Sequence, residues 1–253
     1  QYFMRLYLFA FMAIFLSAVC RGEEKVVDLI FVAGQSNAVG FHSPASELPE
    51  DPRDAQVMFW WRVGAAPVDE HNSSSGQEWT TLRAQDTKRT PKGRYGNFGQ
   101  GEGGFGPEIG VARAVLDAQP DRPLAIVKVA YNSTHVGNWV PGKKFYEALK
   151  EETKLAIEKA AAQGITLRPH ALVWCQGESD SHRPKPEKYR AALEKMINGL
   201  RDDFDAPELI ALLGFNTNYG KGGKGWRERT APSERVAKIR GAQIKIAENS
   251  DYA

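Results

Sequence analysis

The sequence predicts an α/β fold built around a mostly parallel sheet. Apolar, strand-like runs alternate with amphipathic helical segments along most of the 253 residues, and helical connections of this length join parallel strands. The first strand, residues 26–32, is nearly continuous in apolar side chains, as expected for a strand buried on both faces of a sheet. With 42% hydrophobic and 25% charged residues, the chain suits one globular domain with a sizeable core.

The elements after the first strand follow from hydrophobic periodicity and from glycine and proline positions. A helix over 107–118 places its apolar residues mostly on one stripe, and Pro107 suits a first helical turn. Further strands are predicted at 124–130, 171–176 and 209–215, and further helices at 143–163, 187–204 and 232–248. The segment from Pro44 to Gly106 contains only a weak strand candidate at 56–61, and loops this long are usually functional or disordered.

The amino-terminal segment has the pattern of a secretory signal peptide. Residues 6–19 are uncharged and apolar, with a basic residue before them and small residues after them. The stretch is too short to span a bilayer, which needs roughly 20 residues. We therefore expect residues 1–20 to be a signal peptide and the protein to be secreted or periplasmic. Cys20 would also permit a lipoprotein, although Val19 is a poor fit to the small residue expected before an acylated cysteine.

Residues 21–253 are then expected to form a single domain, and residues 1–3 resemble upstream read-through before an initiating Met4. The net charge is only +2 and the basic residues are scattered, so a nucleic-acid partner is not predicted. No cofactor and no stable membrane span are predicted, and the sequence does not indicate an oligomeric state. If Cys20 is removed with the signal peptide, Cys175 is the single cysteine left and no intramolecular disulfide can form.

Three of the predicted strands run into unusual polar turns at their carboxyl ends. The turns read GQSN at 34–37, YNSTHVGNW at 131–139 and QGESD at 176–180. Parallel strands bring their carboxyl ends to one edge of the sheet, where open α/β sheets bind ligands. A single turn of this kind would equally suit a helix cap, but three convergent turns predict an active site.

A serine in such a turn indicates acyl transfer, which requires a base and donors that stabilise the developing oxyanion. Ser36 is the candidate nucleophile, and its own backbone N–H can face the oxyanion. The side-chain amide of Gln176 and the backbone N–H groups of residues 132–134 are further candidate donors. Gln176 could instead be a structural amide that satisfies buried backbone groups.

These motifs in combination resemble the SGNH-hydrolase superfamily, and more narrowly its sialate O-acetylesterase-like domain, also described as carbohydrate esterase family six. The segments FGPEIGVARAV and VAKIRGAQIKIAE are also similar to parts of that family, and the resemblance covers residues 26–248. It implies a three-layer α/β/α sandwich with a flavodoxin-like, mostly parallel sheet. It further implies an enzyme that removes O-acetyl groups from carbohydrates, either sialic acid or acetylated polysaccharide.

Carried over by position, the resemblance makes Ser36 the nucleophile. It assigns the oxyanion donors to the N–H groups of Ser36 and Ser133 and to the side chain of Gln176. The family has a glycine pair before Thr134, where this chain has Asn132 and Ser133. The Ser133 N–H can therefore serve only if its backbone reaches the required torsions without glycine.

Four further residues match family positions: Gln35, Asn37, Glu178 and Asp180. We interpret them as support for the site, with the two carboxylates organising the third turn rather than carrying protons. Paired carboxylates could instead indicate a glycosidase or a metal site. No supporting ligand spacing accompanies Glu178 and Asp180, so no metal is predicted.

The general base is missing from the expected place. The resemblance puts it in an Asp-x-x-His sequence after the last helix, and the five histidines of this chain are His42, His71, His135, His170 and His182. We therefore expect the chain to be a fragment, incomplete at its C-terminal catalytic block and nearly inactive on acetyl esters. The internal substitutes are His182 and then His135, and the alternative for each is a solvated loop histidine or a sugar-binding side chain. A protein that had lost its base would instead be a non-catalytic carbohydrate-binding protein on a degenerate esterase fold.

Aromatic side chains near the predicted mouth of the site suit stacking against a sugar ring. The candidates are Trp60, Trp61, Trp79, Tyr131 and Trp139. Packing in the core is the alternative reading of the same residues.

Overall fold

The computed structural model describes residues 25–65, 73–87, 98, 101–181, 185–215 and 234–249. Five parallel strands form the body of its sheet: β1 (Lys25–Gly34), β2 (Val57–Ala65), β5 (Leu124–Asn132), β6 (Ile165–Cys175) and β7 (Ile210–Leu213). Two short strands, β3 (Ser73–Ser74) and β4 (Thr80–Thr81), pair antiparallel with β2. Within the described residues the strand order is β3-β2-β5-β1-β6-β7, with β4 also on β2. The mostly parallel sheet is thus confirmed.

Helices lie on both faces of this sheet, which gives the expected three layers. They are α1 (Ser36–Val39), α2 (Pro107–Ala118), α3 (Lys144–Ala161), α4 (Glu178–Ser181), α5 (Pro186–Asp203) and α6 (Glu234–Ala247). Alternate residues of β1 enter two different cores: Leu29 and Phe31 pack with α3, α5 and α6, whereas Ile30 and Val32 pack with α1 and α2. All four side chains are 3% exposed or less, which explains the continuous apolar run in the sequence.

Two strands, β6 and β2, extend furthest beyond their sequence patterns. β6 begins at Ile165 rather than at residue 171. The sequence did not indicate its first half because that half mixes exposed polar residues with buried ones and lacks an apolar run. Its pairing with β1 shifts at this point, so that Pro169 lies opposite Leu29 and Ala171 lies opposite Ile30. The weak candidate at 56–61 is a full strand, β2, which pairs with β5 over nine residues.

Several expectations concern residues outside those that the structure describes. The signal peptide, residues 1–20, and two of the histidines, His71 and His182, belong to this group. No helix among the described residues combines the length and apolar character needed to cross a membrane.

Candidate active site

The three polar turns do meet at one edge of the sheet. They follow β1, β5 and β6, and β1 lies between the other two strands. The approach is closest at Gly34, where the Gln35 N–H donates to the Cys175 carbonyl at 3.0 Å. Gly34 has a φ of 140°, and a Cβ at this position would lie 2.1 Å from the same carbonyl oxygen. Only glycine allows the first and third turns to come this close.

Ser36 is the first residue of α1, and its side chain is half-buried. Its carbonyl accepts from the N–H groups of Gly40 and Phe41 at 3.0 Å each, and Gly40 ends the helix in a left-handed conformation. None of the residues that the structure describes hydrogen-bonds to the Ser36 hydroxyl. The turn therefore holds the backbone of Ser36 and leaves its Oγ available.

Gln176 connects the three turns through its side-chain amide. Its Nε2 lies 3.1 Å from Gln35 Oε1 in the first turn, 2.9 Å from the Thr134 carbonyl in the second and 2.6 Å from Asp180 Oδ2 in the third. Gln35 Oε1 also accepts from the Ser179 N–H at 3.2 Å. These amides are 4% and 3% exposed for Gln35 and Gln176, so the sequence-predicted residues Gln35, Gln176 and Asp180 form one buried network.

The bonding of Gln176 bears on its predicted role as an oxyanion donor. An amide nitrogen carries two hydrogens, and three protein acceptors already surround this one. Its Oε1 is buried and has no hydrogen-bond partner. Gln176 therefore acts in this structure as a brace between turns. Donation to an oxyanion stays a prediction, which requires one of these three contacts to open.

Asp180 organises the second turn from the third. Its Oδ2 accepts from the Val136 N–H at 3.0 Å as well as from Gln176. His135 Nδ1 lies 3.8 Å from the same oxygen, so an imidazole sits beside a carboxylate at this edge of the sheet. No hydrogen bond joins His135 to Ser36 in the described part of the chain, and a role for His135 as the base stays a prediction.

The second turn adopts a left-handed backbone conformation at Ser133, where the family has glycine. Ser133 has a φ of 58°, in the left-handed region, although it is not glycine. The turn is supported from behind, because Thr134 Oγ1 donates to the Tyr131 carbonyl and accepts from Trp139 Nε1, each at 3.0 Å. Ser133 itself is exposed. The torsion that glycine would adopt is thus accessible to Ser133 here, which keeps its N–H a candidate oxyanion donor.

The first and third turns are joined a second time on the outer side of the site. Asn37 Nδ2 donates to Glu178 Oε1 in a close contact. Asn37 is exposed, whereas Glu178 is 7% exposed. Glu178 therefore anchors the outer side of the Ser36 turn, as Asp180 anchors the turn at 131–139.

Two residues that the sequence did not single out support the third turn from within the core. Tyr189 on α5 donates to the Gln176 carbonyl at 3.0 Å, and Gln243 on α6 donates to the same carbonyl at 3.2 Å. Trp174 Nε1 donates to the Tyr189 hydroxyl at 3.2 Å. Burial raises the pKa of Tyr189, so it stays a neutral donor. A tyrosine and a glutamine on amphipathic helices carry no sequence signal for such a role.

A cleft of about 680 Å³ lies beside the second and third turns. Its walls are residues 135–138, Asp180, Lys185 just before α5, and the first turns of α5, including Lys188. Both lysines are exposed. The cleft is large enough for a sugar residue and has two cationic side chains at its rim.

The expectation that aromatic residues line the mouth was wrong for four of the five candidates. Trp60, Trp61, Trp139 and Tyr131 are 0%, 1%, 0% and 6% exposed, respectively. They pack in the two cores, where for example Trp139 lies edge-to-face with Trp174 at 5.3 Å. Trp79 is partly buried against the core and donates to the Ala156 carbonyl. Rings that face the interior cannot stack on a ligand.

The remaining described histidines, His42 and His170, are not part of the three turns in the sequence. His42 packs edge-to-face on Phe41 at 4.8 Å, and His170 lies on β6 before the irregular pairing with β1. In the described ranges, no group of three or more histidine, cysteine or acidic side chains is arranged to hold a metal ion. Burial raises the pKa of Cys175 to about 12, so its thiol stays protonated at the end of β6.

Comparisons with known proteins bear on the fold and on the family of this chain. The chain matches none of the curated proteins. Among solved structures it resembles a protein from Arabidopsis thaliana with a TM-score of 0.56 and 19% identity, over 86% of this chain and 80% of that chain. It resembles NanS with a TM-score of 0.57 and 17% identity, over 90% of this chain and 76% of that chain. At these identities the likeness establishes the shared fold.

The family is established by the sequence match over the whole described core. Residues 26–248 match the family described as carbohydrate esterase, sialic acid-specific acetylesterase. The matched range begins in β1 and ends just after α6, so it contains all three polar turns. The chain therefore belongs to the family of sialic acid-specific acetylesterases among the carbohydrate esterases.

Proposed function

We propose that this protein is a secreted serine esterase that removes O-acetyl groups from carbohydrates through an acyl-enzyme on Ser36. Family membership supports carbohydrate ester hydrolysis. The observation that carries the residue-level proposal is the convergence of three braced turns on a serine whose hydroxyl has no described hydrogen-bond partner. A backbone held by hydrogen bonds between turns, around a serine hydroxyl with no described partner, is the preorganisation that acyl transfer needs.

The reaction begins when Ser36 Oγ attacks the carbonyl carbon of the acetyl ester and gives its proton to a general base. The negative charge that develops on the carbonyl oxygen is stabilised by the backbone N–H groups of Ser36 and Ser133. Collapse of this intermediate breaks the bond to the sugar oxygen, which leaves with the proton from the base. Water then attacks the acetyl-serine in the same manner, releasing acetate and restoring the serine.

No described residue is bonded to the Ser36 hydroxyl as a general base would be. The family resemblance predicts an Asp-x-x-His sequence for this role, and His135 and His182 are the alternatives within the chain. The cleft beside the second and third turns would receive the sugar. Secretion is proposed from the apolar segment at 6–19 and fits an extracellular carbohydrate substrate.

The test is to trap the acyl-enzyme in the whole gene product. The protein is mixed with p-nitrophenyl acetate or an O-acetylated sugar, quenched at low pH and digested, and the peptides are measured by mass spectrometry. We expect one acetyl group on the peptide that contains Ser36, and none in the Ser36→Ala variant. Rapid hydrolysis with no acetyl-serine, and equal rates in both proteins, would contradict the proposal.

The alternative is a carbohydrate-binding protein without catalysis. It is favoured by the three existing contacts of the Gln176 amide and by the lack of a described histidine bonded to Ser36. Titration calorimetry with acetylated and deacetylated sugars separates the two. A binder would bind both sugars without releasing acetate from the acetylated one, and Ser36→Ala would leave its affinity unchanged.

A further inference from the structure

A second buried polar cluster contacts the end of α1. It consists of Lys128 on β5, Glu108 on α2 and Gln85, which are 0%, 0% and 1% exposed. Lys128 Nζ and Glu108 Oε2 form an ion pair at 2.9 Å. The mechanism proposed above uses none of these residues.

The ammonium group of Lys128 has three well-placed acceptors. Its Nζ lies 2.7 Å from Gln85 Oε1, 2.9 Å from Glu108 Oε1 and 3.0 Å from the Val39 carbonyl. An ammonium group carries three hydrogens, so each is accounted for. Burial lowers the pKa of Lys128, and the adjacent Glu108 carboxylate opposes this shift.

Val39 is the acceptor that connects this cluster to the nucleophile. It is the last residue of α1, the four-residue helix that begins with Ser36. Carbonyls at the carboxyl end of a helix lack partners within the helix and carry partial negative charge. The Lys128 ammonium bonds to one of them, the Val39 carbonyl, from inside the protein. It therefore restrains the last residue of the short helix whose first residue is Ser36.

Glu108 and Gln85 hold the lysine in turn and close the cluster against a neighbouring loop. Glu108 Oε1 accepts from Gln85 Nε2 and from the Gly106 N–H, each at 2.7 Å. A Cβ on Gly106 would lie 2.5 Å from the Ala38 carbonyl, so this loop runs directly along α1. The cluster thus joins three separate segments of the chain to the Ser36 turn.

Burial of such a cluster is costly, because each ion loses its hydration and well-packed apolar residues are often as stable or more so. Stability is therefore a weak reason for its presence. We infer that Lys128 is a positioning residue for Ser36: held by Glu108 and Gln85, its ammonium fixes the Val39 carbonyl and with it the orientation of α1. This inference rests on the proposed role of Ser36 as the nucleophile.

The test uses a charge-neutral pair of substitutions, Lys128→Met with Glu108→Gln, in the whole gene product. Either substitution alone would leave a buried charge without its partner and confound function with folding. The control is Lys150→Met with Asp203→Asn, which removes an ion pair of 2.6 Å between α3 and α5 on the other face of the sheet, with side chains 25% and 26% exposed. Both double variants are compared with the unaltered protein.

Two measurements decide the outcome. The first is the steady-state kinetics on an acetyl ester, where we expect kcat to fall about 100-fold with KM within a factor of about three, because small displacements of a nucleophile have effects of this size. The second is amide hydrogen exchange at residues 39–41, whose N–H groups bond to Gln35 and Ser36. We expect faster exchange there and unchanged exchange in β1 and β5. The control should change neither.

Unchanged kcat and unchanged exchange at residues 39–41 would overturn the inference. So would faster exchange spread equally over the sheet with kcat lost in proportion, because that pattern indicates general destabilisation. The proposed function fails separately if the unaltered protein and Ser36→Ala are equally inactive. In that case the exchange measurement still tests whether Lys128 holds the turn, and loosening confined to residues 39–41 would support that part of the inference.

Discussion

The two ends of the parallel sheet treat buried polar groups differently. At the amino end, Asp28 on β1 is 5% exposed and both of its oxygens are bonded, one to Arg122 at 2.6 Å and the other to Arg168 at 2.6 and 2.9 Å. At the carboxyl end, the Ser36 hydroxyl has no described partner and Gln176 Oε1 is buried without one. Buried polar atoms in native proteins are nearly always paired.

We interpret this difference as a division between polar groups that stabilise the fold and, in line with the proposed function, polar groups that can bond to a ligand. The cluster around Asp28 is complete within the protein, so its removal should affect stability alone. The network around Gln35, Gln176 and Asp180 fixes the backbone of three turns but leaves bonding capacity at Ser36. We therefore expect substitutions at the amino end to affect stability alone, and substitutions at the carboxyl end to affect activity.

The largest effect is expected for Ser36→Ala at the carboxyl end. Removal of the nucleophile should lower kcat by a factor of about 10,000 or more, measured as acetate release by the whole gene product. Because the hydroxyl makes no described hydrogen bond, the melting temperature should stay within about 2 °C of the unaltered protein, as for other substitutions away from structural contacts. A marked loss of stability with retained activity would place Ser36 in the structural group instead.

Asp180→Ala should affect both properties. It leaves the Val136 N–H and the Gln176 amide without an acceptor that they now have at 3.0 and 2.6 Å. We expect kcat/KM to fall about 100-fold as the second turn shifts, and the free energy of unfolding to fall by about 1–3 kcal/mol. Asp180→Asn is the matched control, because its amide oxygen can still accept from Val136. Equal losses in both variants would mean that the charge, rather than the acceptor, is what matters.

Asp28→Asn should affect stability and leave kcat unchanged. Burial alone would raise the pKa of Asp28, but hydrogen bonds and charges from Arg168 and Arg122 outweigh it and hold the pKa below the usual 3.8. A carboxylate with a lowered pKa stabilises the fold above its unfolded value and loses that contribution as the pH falls through the folded value. We expect a loss of about 2 kcal/mol at pH 7.

Denaturant titrations of this variant at several pH values provide the check. The difference from the unaltered protein should be constant down to about pH 4 and should shrink below it. A difference that persisted well below that pH would show that the arginines are not the source of the stabilisation.

The smallest effect is expected at the rim of the cleft. Replacing both Lys185 and Lys188 by alanine should raise KM about fivefold for an O-acetylated sugar that carries a carboxylate, since exposed charge pairs contribute up to about 1 kcal/mol. KM for a neutral acetylated sugar should not change. Comparison of the two substrates at low and high salt is the measurement. Equal changes for both sugars would assign the lysines to packing rather than to recognition of charge.

Much of the fold could be predicted from periodicity. The helix predicted at 107–118 has those same bounds in the structure. The strand predicted at 124–130 begins as predicted and ends two residues later, at Asn132. Both have regular apolar patterns without competing signals. The amino half of β6 was missed because the polar side chains of Thr166 and Arg168 interrupt the apolar pattern, although the backbone pairs with β1 throughout.

The site could be predicted in its location but not in its bonding. The sequence indicated that three turns meet because parallel strands end at one edge, and the contacts of Gln176 follow that expectation. Which way its amide points depends on side-chain packing, which no spacing in the sequence reveals. The aromatic residues show the same limit: Trp139 lies within the second turn of the sequence and Trp60 was expected near the mouth of the site, but both are buried in the core.

The close approach at Gly34 has a consequence for directed evolution of this protein. Libraries that aim to change substrate preference usually randomise residues near the nucleophile. Here Gly34 and Asn37, the first and last residues of the first turn, are expected to respond very differently. A side chain at Gly34 would meet the Cys175 carbonyl at 2.1 Å and force β1 and β6 apart, so most of its codons would yield misfolded clones. Asn37 is exposed, but its contact with Glu178 joins the first and third turns, so we expect its variants to fold while loosening the turn that carries Ser36.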